Sequence, residues 1–556
     1  MPTLDWIGKK AVVGHHRQVP YRLLHCNGKL SAGDPDAGNL LVQGDNLLAL
    51  KALLPYYAGK VECIYIDPPY NTGNEKWVYN DAVNSPEMRS WLGKVVGAEA
   101  EDLSRHDKWL CMMYPRLSLL RDFLTEDGVV LVSLDDTELG HLRLVLDEIF
   151  GKPNFMGAFV WNTRNTDNRV KTYLSPDHEY IIVYSKSREA SILGRRIDRS
   201  DFKNPDNDAR GPYVTDPLTG KATATERPNL HSYNMQQPGT SNVWKPDPAK
   251  GWITDEAGYK ALLCETKIWW PPDPKTGKPR KKRFLNETQE RMPASSFWPE
   301  FRAQSGAKEV GDIVGERVFA FPKPLNVIQK VIDHCAPAGC VVLDSFAGTG
   351  TTAHAVLAQN KSDGGTRRFI LVEMDEAICQ NVTAHRLHKA IDGYGDAPGL
   401  GGGFRFCTLG EPLFDEAGNI RESVKFCDLA AHVFFTETGS PLPKKPRRLN
   451  ASTDPHPSSP LKKGEGYSPL LGVHDGTAIY LLFNGVMGDR RANGGNVLTT
   501  EVLRNLPEPP SPNPSLGKGR VVTRKVVYGE GCRLSKARLK RAGVVFKQVP
   551  YEIKVT

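Results

Sequence analysis

Two stretches of the chain alternate short apolar runs, which read as buried strands, with segments whose apolar residues recur at helical spacing. In the first, LLVQ after Asn39 predicts a strand and Gly44-Asp45 a turn, and Leu47, Leu50, Leu53 and Leu54 line one face of a helix. VECIYI (61–66) is a continuous apolar run stopped by Pro68, the pattern of a strand buried on both faces in a parallel sheet. A helix over Trp109–Phe123, a turn at TEDG, a strand GVVLVSL (128–134) and a helix over Leu139–Phe150 complete this stretch. The second stretch supplies a helix over Leu325–His334, a strand CVVLDSF (340–346), a Gly-rich turn, a helix from Thr351 and a strand RFILVE (368–373).

This alternation predicts a doubly wound α/β sheet, with both stretches in one mostly parallel sheet. Between them, residues 155–317 change texture. Trp, Pro, Asn and Lys are frequent and periodic pieces are short, among them the strand EYIIVYS (179–185). The expected organisation is an irregular N-terminal arm (1–37), a first α/β half (38–154), an inserted domain (155–317), a second α/β half (318–410) and a C-terminal accessory region (411–556). Within the last, 441–469 and 507–520 are rich in Pro, Ser, Gly and Lys and are expected to be flexible surface loops.

Composition narrows the class of partner. With 556 residues the chain is long enough for several cores, and its net charge of +8 is concentrated in blocks such as Lys275–Arg283, which suits a polyanion. No apolar run has the length of a signal or membrane segment, so the expected location is cytoplasmic, with no membrane partner. The ten cysteines show no zinc-ligand spacing and are expected to be reduced, mostly buried thiols. His15-His16 and the pair His385 and His388 lack a completing ligand and read as turn or helix-surface residues, so no metal is expected.

The chemistry concentrates at two strand ends. Asp67-Pro68-Pro69-Tyr70 comes directly after the 61–66 strand, which points its carboxylate into the crevice where open α/β sheets bind ligands. The prolines fix φ and remove two N–H groups, which leaves carbonyls to accept from a ligand, and Tyr70 adds a flat π-face. These groups describe a clamp for a planar amine. The lone pair of an adenine N6 is delocalised into the ring, and acceptors on its two hydrogens draw the nitrogen toward tetrahedral geometry. Asp67 and the Pro68 carbonyl are the candidate acceptors. Tyr70 can stack on a base flipped out of a duplex.

The second strand end is Asp344-Ser345-Phe346-Ala347-Gly348-Thr349-Gly350-Thr351-Thr352. Gly348 and Gly350 let a backbone approach a ligand, and the helix N-terminus favours a carboxylate. A P-loop lysine is missing and Ala353 replaces the last glycine of a dinucleotide fingerprint. Glu373 ends the next strand, where an acid accepts from ribose hydroxyls. A ligand with an amino-acid end and a nucleoside end fits this set.

DPPYNTG and DSFAGTGTT resemble motif IV and motif I of the S-adenosylmethionine-dependent amino-methyltransferases. Their circularly permuted order, motif IV first with a large insertion between, is similar to the beta class of DNA methyltransferases, which includes the modification subunits of type III restriction-modification systems. The resemblance spans roughly residues 38–410. It implies a Rossmann-like seven-stranded sheet with both pockets on one face, the insertion as target-recognition domain, and S-adenosyl-L-methionine as cofactor. Asp67, Pro68, Pro69 and Tyr70 would be the catalytic clamp. Phe346, Ala347, Gly348, Gly350 and Thr351, with Asp344, would form the cofactor loop, and Glu373 (or Asp375) the ribose acceptor. Lys323-Pro324 would lie beside the methionine moiety, and Gly44-Asp45 against the cofactor adenine.

Asp135-Asp136 also resembles a family feature, although an exposed acidic pair at a strand end explains it equally. The leading Asp of the clamp favours adenine N6 over cytosine N4, the alternative target. A DNA-binding specificity subunit with little catalysis is a competing class, against which both motifs are intact. An RNA or protein substrate is disfavoured by the basic insertion. Implied partners are double-stranded DNA, a second copy of the chain and a separate restriction or helicase subunit. Trp161, Trp244, Trp252, Trp269, Trp270 and Trp298 lie among basic residues, but tryptophans are more often core than contact surface, so none is assigned to base reading.

Overall fold

The computed structural model describes residues 3–34, 36–72, 86–96, 103–166, 173–315, 319, 321–449, 466–486, 488–492, 494–509 and 522–549. Two compact units divide the chain, one of residues 1–192 with 295–556 and one of residues 193–294.

The larger unit is built on a ten-stranded sheet. In chain order its strands are β1 (Arg22–Gly33), β2 (Leu40–Gln43), β3 (Val61–Ile66), β4 (Leu124–Leu134), β5 (Phe155–Asn162), β6 (His178–Ser185), β7 (Phe297–Trp298), β8 (Val341–Asp344), β9 (Arg368–Glu373) and β10 (Gly403–Pro412). They lie in the order β1-β10-β2-β9-β8-β3-β4-β6-β5-β7. The six from β10 to β4 are mutually parallel, whereas β1, β6 and β5 pair antiparallel with their inner neighbours. The apolar runs of β3, β8 and β9 occupy the middle because only strands covered on both faces can bury every side chain. Val61, Cys63, Ile64, Ile66, Leu343, Ile370 and Val372 are buried accordingly.

Three helices flank the first half of the sheet: α1 (Asn46–Tyr57), α2 (Arg105–Phe123) and α3 (Leu139–Leu146). A capping box fixes the start of α2, with Ser104 accepting from the Asp107 N–H and Asp107 from the Ser104 N–H. Its face carrying Trp109, Met113, Leu117 and Leu120 is fully enclosed in the core beside α1. Two more, α4 (Leu325–Cys335) and α5 (Thr351–Asp363), pack together after the sheet resumes.

Several sequence expectations change. The sheet has ten strands instead of seven because both edges are extended. The expected N-terminal arm carries β1, an edge strand of mixed polar and apolar residues, all but one of them partly or fully exposed, that pairs with β10. The inserted unit is narrower than 155–317, because β5, β6 and β7 belong to the main sheet. Cys26 and Cys407, expected as free thiols, are directly opposed across β1 and β10 and form a disulfide.

The accessory region is more regular than expected. Strands Leu470–His474, Thr477–Leu481, Arg524–Gly529 and Val544–Gln548 form a four-stranded sheet. It packs with the helix Phe426–Thr438 around Leu429, Val433, Ile479 and Val526. Most of the two expected flexible stretches lies outside the described residues.

The unit of residues 193–294 holds a three-stranded antiparallel sheet in which Arg280–Phe284 lies between Ile268–Trp269 and Tyr213–Pro217. Its core gathers Leu218, Tyr233, Met235, Trp244, Trp252, Tyr259 and Ile268, so Trp244 and Trp252 are core residues. The basic block is therefore half strand. Lys282 is buried against Asp206 (2.5 Å) and Asp208 (3.0 Å), Arg283 pairs with Asp216 at 2.7 Å, and Lys275 and Lys278 remain exposed. Among the described residues no helix is long and apolar enough to cross a membrane.

Candidate active site

Parallel pairing brings the two motifs together. Val342 and Leu343 of β8 pair with Cys63 and Ile64 of β3, so the segments that leave these strands, Asp67–Tyr70 and Ser345–Gly350, emerge side by side at one carboxyl edge. Glu373 at the end of β9 and Gly44-Asp45 after β2 continue the same edge on one flank, and Asp135-Asp136 after β4 on the other. Neighbouring strands are about 4.8 Å apart, so all five strand ends fall within the span of one nucleoside-sized ligand and a second planar one.

At the clamp, the half-buried Asp67 sends Oδ2 to the Lys323 ammonium at 2.9 Å, while its Oδ1 is buried and has no partner among the described residues. Lys323 also lies 3.5 Å from Glu179 Oε2 and 4.7 Å above the Tyr70 ring, and the Tyr70 hydroxyl donates to Glu179 at 2.9 Å. Burial opposes the Lys323 charge, but the Asp67 and Glu179 carboxylates outweigh it and hold the ammonium above its usual range. Burial pushes the Glu179 carboxyl up, against the pull of Lys323. It also raises the Tyr70 phenol well above its ordinary value, so the hydroxyl stays a donor.

The segment is held from behind. Trp109 Nε1 donates to the Pro69 carbonyl at 2.7 Å, and Asn71, with φ 60°, uses its side-chain amide on Glu138. Neither Glu179 nor Glu138 is among the residues that sequence reasoning selects. The one available signal for Glu179 is an acid opening an otherwise apolar strand.

Across the edge, the β8 loop turns on Gly348 (φ 51°) and Gly350 (φ 77°), the left-handed region that favours glycine. Gly348 donates its N–H to Glu373 Oε2 at 2.8 Å, and Ala347 donates to the Val372 carbonyl at 3.0 Å, which ties the loop to the β9 end. Asp344 accepts from the Phe346 N–H at 2.9 Å and from the Thr352 hydroxyl at 2.5 Å. Burial, with the nearby Asp67 and Glu373 charges, raises its carboxyl to about 7 against these two hydrogen bonds. Arg386, fully enclosed, donates to the Thr349 (3.0 Å) and Thr351 (2.8 Å) hydroxyls, and burial lowers it to about 10. The Ser345 hydroxyl is buried with no partner among the described residues.

Two expected cofactor residues are committed elsewhere. Asp45 caps α1 by accepting from Leu48 N–H at 3.0 Å and pairs with Arg116 at 2.9 Å, so this position offers a ligand mainly its backbone. Lys323 spans both halves: its carbonyl accepts from Thr351 while its ammonium is on the clamp, and Pro324 begins α4. On the acidic pair, Asp135 accepts from Thr137 N–H, a local turn.

Comparison with known proteins agrees with this geometry. A family model described as DNA methylase matches residues 61–384, which contain both strand ends and the insertion. The chain is 33% identical over 371 residues to the Mod subunit of the type III restriction-modification enzyme StyLTI of Salmonella typhimurium, covering 64% of this chain and 55% of that protein. It is 32% identical over 430 residues to the EcoPI Mod subunit of Escherichia phage P1, covering 69% and 65%. With the type II methyltransferase M.KpnI of Klebsiella pneumoniae it shares 31% over 373 residues, covering 64% of this chain and 85% of that enzyme. The chain thus spans between about half and two thirds of the two Mod subunits' length. The match across the shared carboxyl edge and the aligned length of M.KpnI together establish that this chain belongs to the DNA methylase family.

Proposed function

We propose that the protein is a site-specific DNA methyltransferase that moves a methyl group from S-adenosyl-L-methionine to the N6 amine of adenine in double-stranded DNA, as the modification subunit of a type III-like restriction-modification system. The observation that carries this reading is the pairing of β3 with β8, which sets a carboxylate whose buried Oδ1, on Asp67, has no partner among the described residues beside a loop turned on two left-handed glycines. The cofactor fits the loop on two counts. Gly348 and Gly350 carry no side chain over the turn, and the buried Ser345 hydroxyl has no partner among the described residues. When bound, S-adenosylmethionine supplies the electrophilic methyl.

The chain's own residues do the rest. The loop Phe346–Thr351 and Glu373 hold the nucleoside and amino-acid ends. Asp67 and the Pro68 carbonyl accept from the two amine hydrogens, which localises the N6 lone pair, and Asp67 takes up the charge that develops there. Tyr70 offers its ring to the flipped base, and Lys323 holds the Asp67 carboxylate in place before the base arrives. The unit of residues 193–294 reads the target sequence. DNA, a second copy of the chain and a restriction subunit with helicase activity are its partners.

Incubation with tritiated S-adenosylmethionine and plasmid, with subsequent mapping of the modified base, tests the reading. N6-methyladenine at a fixed sequence is expected. Asp67→Asn keeps the shape but removes the charge and is expected to cost about a hundredfold or more in transfer while cofactor binding changes by a few-fold at most. Methylcytosine, or wild-type transfer by the variant, overturns it.

A further inference from the structure

Behind the clamp lies a cluster that the methyl-transfer reading does not use. Glu138 comes after β4, opens α3 and is completely buried in its side chain. Its Oε1 meets His106 Nδ1 at 2.6 Å and its Oε2 meets His141 Nδ1 at 2.6 Å, while the Asn71 amide donates to Oε1 as well. His106 is in the first turn of α2 and His141 in the first turn of α3. The two rings face each other at 5.1 Å between centroids.

We propose that His106, Glu138 and His141 form a binding site for one divalent transition-metal ion of the zinc type. Three observations converge on it. Each of the three side chains offers one ligand atom within 4.8 Å of the other two, and a four-coordinate zinc ion with bonds of about 2.0–2.2 Å needs donors roughly 3.4 Å apart, a gap that rotation of the two imidazoles closes. Glu138 is a buried carboxylate whose ion-pair partners among the described residues are these two histidines and no Lys or Arg. An ionised carboxylate buried without a fixed cation is costly, and a divalent ion supplies the missing charge. Finally, the histidine side chains are 39% and 36% exposed, so the ion has a path from solvent and an open coordination position facing it.

The ion takes the imidazole nitrogens that now hydrogen-bond the carboxylate. Two imidazoles and one carboxylate select zinc, cobalt or nickel over magnesium, which prefers an all-oxygen shell. The consequence is local. Asn71 holds a left-handed backbone directly after Tyr70 and is anchored on Glu138, so an ion here ties the starts of α2 and α3 to the turn that closes the clamp.

The test uses the full chain after chelator treatment and buffer exchange. Titration with Zn2+ against a chromophoric chelator is expected to show one tight equivalent that a thousandfold excess of Mg2+ does not displace. His106→Ala and His141→Ala are each expected to weaken it at least about tenfold while leaving the metal-free circular dichroism unchanged. Co2+ in place of Zn2+ is expected to give ligand-field bands without thiolate charge transfer, because exposed Cys264 is the obvious competing ligand. Independently of any variant, Zn2+ is expected to protect His106 and His141 of the wild type from carbethoxylation, read by peptide mass spectrometry. Failure to bind an equivalent, equal affinity in the histidine variants, a thiolate spectrum or unprotected histidines overturns the site.

Discussion

Replacing Lys323 by Met tests the electrostatic logic of the clamp. The substitution keeps the aliphatic stem over Tyr70 and deletes one ammonium from between two carboxylates, with side-chain exposures of 12% for Lys323, 23% for Asp67 and 21% for Glu179. At 2.9 and 3.5 Å the two attractions amount to about 6 and about 5 kcal/mol at an effective dielectric near 20, most of it offset by desolvation of the three groups. What the variant loses is the compensation, so an overall destabilisation of about 3–5 kcal/mol is expected.

The pH dependence has a definite sign. Burial already holds the Glu179 carboxyl above its usual range against the pull of Lys323; without that ammonium it rises further, so stability is retained in acid and lost as pH climbs through the raised folded value. Urea unfolding monitored by tryptophan fluorescence, with Trp109 bonded to the clamp as a local reporter, is the assay, run at acidic and alkaline pH. Lys323→Met/Glu179→Gln is expected to recover more than half of the loss by removing one of the stranded charges. A single variant within about 1 kcal/mol of wild type, with an unchanged pH profile, refutes the reasoning.

The cofactor loop, its buried acid and the basic strand each yield a further expectation. Gly350→Val forces a branched side chain into φ 77° with its Cβ 3.0 Å from Thr383 Cγ2, and calorimetry is expected to show weaker S-adenosylmethionine binding; unchanged affinity separates the loop from the cofactor. Asp344, raised from 3.8 to about 7, makes the folded state lose stability as pH climbs between those values, so the wild type is expected to fall on the order of 4 kcal/mol relative to Asp344→Asn from pH 4 to 8; parallel curves reject this. Lys275, Lys278 and Lys281 changed to Gln are expected to weaken DNA binding on every sequence alike and lower the log–log salt slope by up to about one each, whereas an unchanged slope removes this strand and loop from the phosphate contacts.

The parts legible in the sequence are those where one local pattern suffices. VECIYI before DPPY and CVVLDSF before AGTGTT announce buried parallel strands with chemistry at their ends, and the structure has both as β3 and β8. What escapes depends on partners distant in the chain. RLLHCNGKLSAG has neither an apolar run nor clean alternation, because an edge strand needs only one ladder, and β10 provides it from 381 residues downstream, the separation of Cys26 and Cys407. Lys323 reads as a cofactor residue by its place beside Pro324, yet its charge goes to Asp67, some 250 positions earlier. Lys282 reads as part of a basic block suited to a polyanion, whereas in the fold Asp206 and Asp208 close on it. Glu138, His106 and His141 are unremarkable where they stand in sequence; two helix starts facing one strand end make them a cluster.

The pairing of β3 with β8 joins residues 279 positions apart, Cys63 and Val342. Closing a loop of that length costs about 5 kcal/mol in chain entropy, but the dependence is logarithmic, and doubling it adds only about 0.6 kcal/mol. The catalytic sheet is therefore nearly indifferent to how much polypeptide is threaded between its halves. A lineage can exchange, lengthen or recombine the compact unit of residues 193–294 without renegotiating the stability of the core that performs the chemistry. New target specificities become a matter of cassette replacement, and a chimera carrying a foreign insertion at residues 192 and 295 inherits the scaffold intact.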